Sequence, residues 1–255
     1  MKTKKIRNIV AVIAVLGVIS ACNEDPSPTM TADVYQIITN GENPGMYNYQ
    51  LYAQAVTYNA SIDTMEMSGP LYMTYPMETV TKDFYYQYLS EEQHSSFNTG
   101  TYTIEATLTN GSTLSSSDVL NYNSGLLPSV IDSCRYLDSY PGMVRLVFQL
   151  NDNADGYSIN ILNADGNMLY SKAAVGNGNA DDNTVALNIS SDNFSYQYPK
   201  PVDGDTLEIQ LNALDYQATL TGLNAIAVSK ANVLWGNEDY NIDGNDTDST
   251  IDVIK

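Results

Sequence analysis

Apolar and polar side chains alternate along many short segments of this sequence, and this period of two is what most constrains its fold. From Tyr102 to Leu108 every second residue is apolar, and the residues between them are threonine and glutamate. Successive side chains of a β-strand point to opposite faces, whereas the apolar residues of an amphipathic helix recur every three or four positions. The pattern therefore predicts an all-β protein, and the same alternation recurs at 144–150, 157–161 and 207–213.

Dipeptides typical of tight turns separate these segments, and they divide the chain into strands. They are Asn110-Gly111, Asp155-Gly156, Asp165-Gly166 and Asp203-Gly204. The first half has predicted strands at 33–39, 47–58, 62–67, 71–75, 82–89, 100–109 and 112–119. The second half has them at 130–137, 143–150, 157–162, 167–173, 184–190, 206–213 and 225–234. About seven short strands in roughly 100 residues is typical of a β-sandwich, so we predict one sandwich over 33–125 and another over 126–235.

Two segments resemble the end of a fibronectin type III or related immunoglobulin-like module. The segment 100–106, followed by Asn110-Gly111, resembles the penultimate strand and final hairpin of such modules, and 204–211 holds the same place in the second half. The resemblance implies two tandem immunoglobulin-like β-sandwiches. Unlike antibody domains, the two halves carry neither a cysteine pair nor a tryptophan in the strand that holds the antibody core tryptophan. A sandwich of this kind does not by itself imply a function.

The N-terminus has the layout of an export signal. Residues 1–8 are basic, and 9–18 is an apolar run of about ten residues, which is half the length that a membrane span needs. Ile19-Ser20-Ala21-Cys22 resembles the lipobox of bacterial lipoproteins. The resemblance implies a signal peptide over 1–21, cleavage after Ala21, and a lipidated Cys22 that carries acyl chains such as palmitate. The alternative is an ordinary secretory signal followed by an incidental cysteine.

The segment after Cys22 predicts where the anchored protein faces. Asn23-Glu24-Asp25 opens an acidic, proline-containing stretch, and we read 22–32 as a lipidated tether. Acidic residues in this place resemble the surface-export signal of Bacteroidota-type lipoproteins. We therefore expect a protein anchored in the outer membrane by its lipid and facing the cell exterior. The alternative is a polar spacer without a sorting role.

The charge of the exported chain excludes some partners. The sequence has 30 acidic and 11 basic residues, and four of the basic ones lie in the first seven positions. From Cys22 onward 7 basic residues face 30 acidic ones, a net charge of −23. Such a surface repels phosphate, so we expect no nucleic-acid partner and no binding to an anionic membrane surface.

Candidate catalytic residues are few, and we expect no enzymatic activity. His94 is the only histidine and lies in a polar segment, and no Gly-x-Ser-x-Gly sequence accompanies it. With Cys22 committed to lipid, Cys134 is the only remaining thiol, and its alternating neighbours predict a small buried residue. One histidine and one thiol do not make a zinc site. Paired carboxylates for glycoside hydrolysis are available in number, but no pair stands out from the acids of ordinary turns.

The C-terminal segment 236–255 is acidic and offers a candidate calcium site, the one cofactor that the sequence suggests. Carboxylate and amide oxygens are the ligands that Ca²⁺ prefers, and their spacing here does not match an EF-hand. The alternative is a plain acidic tail. The candidate ligands are Asp243, Asn245, Asp248 and Asp252.

Tyrosine provides the remaining functional signal. The chain has 20 Tyr, 4 Phe and 1 Trp, and twelve of the tyrosines lie in 33–125. If Tyr49 and Leu51 face the core, then Tyr52 and Tyr58 lie on the exposed face, and Tyr85 of a later strand joins them. Tyrosine is also a good strand former at half-buried positions, which is the alternative.

Trp235 ends the last predicted strand, and we consider it as a second binding candidate or as a cap on the second core. We therefore expect a non-catalytic surface lipoprotein that acts as an extracellular binding module, with a neutral glycan as its ligand. A structural or adhesive component that binds other surface proteins through exposed strand edges is the alternative. A glycoside hydrolase ranks below both.

Overall fold

The part of the chain that the structure describes is built of β-strands, as the alternation predicts. The computed structural model describes residues 26–70, 73–81, 84–90, 99–121, 125–174, 183–217 and 222–237. They contain fifteen strands and include a turn of 3₁₀ helix at Ser191–Asn193. The strands are β1 (Thr29–Asn40), β2 (Tyr47–Tyr58), β3 (Ile62–Ser68), β4 (Thr74–Pro76), β5 (Glu78–Thr81), β6 (Tyr85–Leu89), β7 (Gly100–Leu108), β8 (Thr113–Leu120), β9 (Ile131–Tyr136), β10 (Met143–Gln149), β11 (Gly156–Leu162), β12 (Met168–Ala174), β13 (Thr184–Ser190), β14 (Thr206–Tyr216) and β15 (Leu223–Leu234).

The first sandwich is built from β1 to β8. One layer has the order β1-β2-β6-β5, and the layer packed on it has the order β4-β3-β7-β8. Along β7 the residues Tyr102, Ile104 and Ala106 are buried, while Thr101 and Glu105 are exposed. Each large apolar side chain buried in this way contributes about 1.5–3 kcal/mol. The core between the layers contains Val34, Leu51, Ala53, Ala55, Met65, Met67, Met77, Tyr86, Tyr102, Ile104, Ala106 and Leu120.

The second sandwich is built from β9 to β15. Its layers have the orders β12-β11-β14-β15 and β13-β10-β9. Its core is larger and includes Leu146, Phe148, Ile161, Ile209 and Trp235. Cys134 lies in this core with no exposed surface, and burial raises the pKa of its thiol to about 12. The prediction that Cys134 is a buried structural residue is confirmed.

The order in which the strands enter the layers is immunoglobulin-like in both halves. Immunoglobulin sandwiches place the first, second, fifth and fourth strands in one sheet and the third, sixth and seventh in the other. The first sandwich follows this order with one extra strand, β4, beside β3. In the second sandwich β9, β10 and β13 form one sheet, and the fourth strand, β12, joins the opposite sheet. The expected pair of tandem immunoglobulin-like sandwiches is therefore the observed fold.

A single sheet runs through both sandwiches, and the sequence gives no sign of it. The edge strands β1 and β15 pair in parallel from Gln36 beside Ala225 to Thr39 beside Val228. This pairing joins four strands of each half into one eight-stranded sheet, called here the shared sheet. Because of it Ile38 of β1 packs in the core of the second sandwich. The two sandwiches are therefore joined along a strand edge as well as through the connecting segment.

The predicted strand positions agree with the observed ones in most of the chain but differ at β1 and at the edge of the first sandwich. β1 begins at Thr29, four residues before the predicted strand at 33–39 and inside the segment predicted to be a tether. The hairpin predicted at Asp165-Gly166 joins β11 to β12, and Gly166 has the positive φ of 78° that such a turn requires. The strand predicted at 82–89 begins only at Tyr85, and β5 was not predicted. Between β4 and β5 the chain crosses from one layer to the other at Met77, whose N–H donates to the carbonyl oxygen of Met65 at 3.0 Å. A short crossing strand of this kind has too few residues to show alternation.

Candidate functional site

The tyrosines of the first sandwich gather on the outer face of the shared sheet. Tyr35 of β1 lies opposite Tyr52 of β2, and Gln54 of β2 lies opposite Gln87 of β6. Directly opposite residues of antiparallel strands share a face, so these side chains stand together, away from the core. We call Tyr35, Tyr52, Gln54, Tyr85 and Gln87 the tyrosine face.

Hydrogen bonds connect the polar groups of the tyrosine face. The hydroxyl oxygens of Tyr52 and Tyr85 are 2.9 Å apart. The Tyr52 hydroxyl also lies within donating distance of Gln87 Oε1, at 3.3 Å, and the Tyr85 hydroxyl within 3.3 Å of Gln54 Oε1. Two hydroxyl protons thus serve three contacts, so one acceptor is open at any moment. A further hydrogen-bond donor, such as a hydroxyl group or a water molecule, can satisfy this open acceptor.

Ring packing holds the tyrosine face in place. The rings of Tyr35 and Tyr52 are tilted by 34°, with their centroids 4.9 Å apart. Tyr35 is buried and Tyr52 is partly exposed. Burial, followed for Tyr52 by the hydrogen bond with Tyr85, raises the pKa of both hydroxyls above the usual value. The two hydroxyls therefore remain neutral hydrogen-bonding groups at physiological pH.

Of the three tyrosines predicted from the sequence, the structure brings two together. Tyr49 and Leu51 are buried, so Tyr52 lies on the outer face as the strand pattern predicts. Tyr58 is on the same face at 37% exposure, but it is six residues along β2 from Tyr52, which is about 20 Å. There it packs edge-to-face against Phe84 with ring centroids 5.6 Å apart. Tyr58 is thus not part of the tyrosine face.

Trp235 is a core residue, and the prediction that it offers a binding surface is wrong. Its side chain is 5% exposed. The ring centroid lies 5.0 Å from that of Tyr136 and 5.9 Å from that of Phe194. The indole therefore caps the second core, which is the other role that the sequence allows. The sequence could not indicate this burial, because Tyr136 and Phe194 come from distant parts of the chain.

A pair of carboxyl groups lies where the two sandwiches join, beside the tyrosine face. Asp33 Oδ1 accepts from the N–H of Leu223 at 3.1 Å, and Asp33 Oδ2 accepts from Gln54 Nε2 at 3.4 Å. Asp118 Oδ2 accepts from the N–H of Val34 at 2.7 Å. A Cβ on Gly222 would lie 2.5 Å from Asp33 Oδ1, so any larger residue there would push the Asp33 carboxyl group aside. We call the region around Asp33 and Asp118 the seam.

The surroundings of Asp33 at the seam raise the pKa of its carboxyl group. Burial is the main cause that raises the pKa of Asp33, and the backbone hydrogen bond from Leu223 lowers it. The nearby charge of Asp118 raises it further, and the resulting pKa is about 6. Reading the sequence did not single out Asp33 or Asp118, because they belong to strands about 85 positions apart. They are close because β8 packs beside the first part of β1, before the pairing of β1 with β15 begins at Gln36. Only the tertiary fold carries that information.

Several predicted residues fall outside the part of the chain that the structure describes. They are Cys22 with the signal peptide at 1–21, His94, and the calcium candidates Asp243, Asn245, Asp248 and Asp252. Within the described ranges no group of three or more histidine, cysteine, aspartate or glutamate side chains is arranged to hold a metal ion. The described residues also include no helix long and apolar enough to span a membrane.

Comparison with known proteins gives weak likenesses of fold only. No protein-family model matches this sequence, and no curated protein matches it. Among solved structures, dimeric latent PorU from Porphyromonas gingivalis has a TM-score of 0.31 at 11% identity; the match covers 82% of this chain and 20% of PorU. The BSP domain of a biofilm-associated protein has a TM-score of 0.26 at 9% identity, with 85% of this chain and 53% of that one covered. The tandem immunoglobulin domains of titin have a TM-score of 0.21 at 13% identity, with 82% and 96% covered.

This chain spans only about a fifth of the length of PorU. At such TM-scores these likenesses support no conclusion about activity or partners. The assignment of an immunoglobulin-like fold rests instead on the order in which the strands of each sandwich pair.

Proposed function

We propose that this protein is a non-catalytic lipoprotein of the outer cell surface, and that its tyrosine face binds a neutral glycan. The lipobox-like sequence ending at Cys22 and the acidic tether after it support the anchor and the outward orientation. The observation that carries the binding proposal is the hydroxyl pair of Tyr52 and Tyr85, 2.9 Å apart between two glutamine side chains.

This arrangement combines the two kinds of group that a sugar ring needs. Aromatic rings held by packing offer an apolar surface, while hydroxyl and amide groups at their rim exchange hydrogen bonds with sugar hydroxyls. The glutamine amides can both donate and accept, which suits a ligand with many hydroxyl groups. The net charge of −23 after Cys22 disfavours sulfated or phosphorylated glycans.

Affinity electrophoresis against a panel of neutral and sulfated polysaccharides tests the proposal. We expect retardation by at least one neutral polysaccharide and by none of the sulfated ones. Replacing both hydroxyls, in a Tyr52→Phe and Tyr85→Phe double variant, keeps the rings and is expected to weaken binding roughly tenfold.

A matched control is available in the second sandwich. Tyr196 is 95% exposed and lies far along the chain from the tyrosine face, so Tyr196→Ala is expected to leave retardation unchanged. The proposal is wrong if no neutral polysaccharide retards the protein. It is also wrong if Tyr196→Ala weakens binding as much as the double variant does.

A further inference from the structure

A groove opens at the free side of the first sandwich, on the edge away from the seam. It lies between β3 of one layer and β5 and β6 of the other, and its volume is about 390 Å³. The lining includes five consecutive residues of β3, so the groove runs along a strand. Its lining includes Asp63, Met65, Glu66, Met77 and Tyr86.

The strand that borders this groove is only partly paired. On the groove side β4 pairs with β3 at Glu66, Met67 and Ser68, and then the chain crosses to the other layer at Met77. Among the described residues no strand lies beside Asp63 and Thr64 on that side. A partly covered strand edge is a template for an added strand, because backbone N–H and C=O groups give it directional hydrogen bonds.

The chemistry of the groove selects the kind of strand that fits it. Its floor is apolar, since Met65, Met77 and Tyr86 are 4%, 8% and 5% exposed. Its rim is acidic, since Asp63 and Glu66 are exposed, and no ion pair in the described part of the chain involves either. A lysine or arginine side chain suits such a site, because its aliphatic stem covers apolar surface while its charge stays at the rim.

We propose that the groove binds an extended basic segment of a partner protein, which adds to β3 as a strand in line with β4. The pairing of β3 with β7 shifts register between Ile62 and Thr64, so Asp63 is the extra residue of a bulge and is exposed like Glu66. Alternate side chains of the added strand point toward the floor and the rim, and lysine or arginine occupies the positions beside Asp63 and Glu66. A second copy of this chain is a poor occupant, because Glu66 lies opposite Glu105 across β3 and β7 and a second copy would bring the same acidic edge. This site is separate from the tyrosine face and does not depend on glycan binding.

Isothermal titration calorimetry with a defined peptide tests the proposal on the exported chain. The probe is a seven-residue acetylated and amidated peptide of alternating valine and lysine, and its counterpart has glutamate in place of lysine. We expect the lysine peptide to bind and the glutamate peptide not to bind. A lysine peptide with N-methyl groups on its central residues cannot donate strand hydrogen bonds, and we expect it not to bind either.

Variants locate the binding at the groove. The double variant Asp63→Asn and Glu66→Gln removes two exposed charges and is expected to weaken binding of the lysine peptide roughly tenfold. The matched control, Asp165→Asn with Glu42→Gln, removes the same charge from two exposed turns elsewhere. It is expected to change the affinity less than roughly twofold.

Three results would overturn the proposal. One is no measurable binding of the lysine peptide, and another is equal binding of its N-methylated form, which rules out strand pairing. The third is equal weakening by the control variant, which would show attraction to the overall negative charge alone. Because the tyrosine face is untouched by these substitutions, glycan retardation of the Asp63→Asn and Glu66→Gln variant is expected to remain normal.

Discussion

Replacing Asp33 with asparagine is expected to stabilise the protein at neutral pH and to have no such effect in acid. The pKa of Asp33 rises from 3.8 to about 6 on folding, mainly because the carboxyl group is buried at the seam. Between those two pH values the folded state holds a proton that the unfolded state has released. The contribution of Asp33 to the free energy of unfolding therefore falls as the pH rises from about 4 to about 6. Above that window its contribution is constant.

The size of the effect follows from the shift. A shift from 3.8 to about 6 corresponds to about 3 kcal/mol if the group is fully shielded from solvent. Asp33 keeps some contact with water, so screening reduces the expected cost to about 1–2 kcal/mol at pH 7. Asparagine has the shape of the protonated acid, and its oxygen can accept from the N–H of Leu223. Its NH₂ group takes the place of Oδ2, so the amide of Gln54 must turn to accept from it instead of donating.

Urea unfolding of the wild type and of Asp33→Asn, at several values between pH 3.5 and pH 8, measures the effect. We expect the variant to be more stable by about 1–2 kcal/mol at pH 7 and the difference to vanish near pH 4. Asp165→Asn, at an exposed turn, is the control and is expected to follow the wild type at every pH. A stability difference that does not depend on pH would refute the reasoning, as would a variant less stable than the wild type at pH 7.

Four further outcomes follow from the same structure. Gln36 is 1% exposed and its Nε2 has no hydrogen-bond partner among the described residues, so Gln36→Met is expected to raise the free energy of unfolding by about 1 kcal/mol in urea titrations. Trp235→Ala leaves a cavity in the second core and is expected to cost about 3–5 kcal/mol, visible as a lower midpoint of thermal unfolding. In a Cys22→Ser background the thiol of Cys134, whose pKa burial raises to about 12, is expected to react with a thiol reagent at pH 8 only after denaturant is added. A fragment of residues 26–125 loses the β15 edge beside β1 and exposes Ile38, so we expect poor dispersion of its amide signals in NMR spectra.

The sequence by itself determined the local structure of this protein. Alternation along β2 predicts that Tyr49 and Leu51 face the core and that Tyr52 faces outward, and the structure places them so. Turn dipeptides such as Asn110-Gly111 end strands where the structure ends them, with Gly111 at a positive φ of 82°. These features are readable because each depends on neighbours within a few residues.

Only the tertiary structure decided how distant strands meet. The parallel pairing of β1 with β15, the approach of Asp33 to Asp118, and the burial of Trp235 all join segments far apart in the chain. Strand edges pair through backbone C=O groups, which every residue carries, and N–H groups, which only proline lacks. The sequence therefore marks no preferred partner for an edge. The tyrosine face is intermediate: alternation places Tyr52 outward, but the strand order of the shared sheet brings Tyr85 to its side, because β6 enters that sheet next to β2.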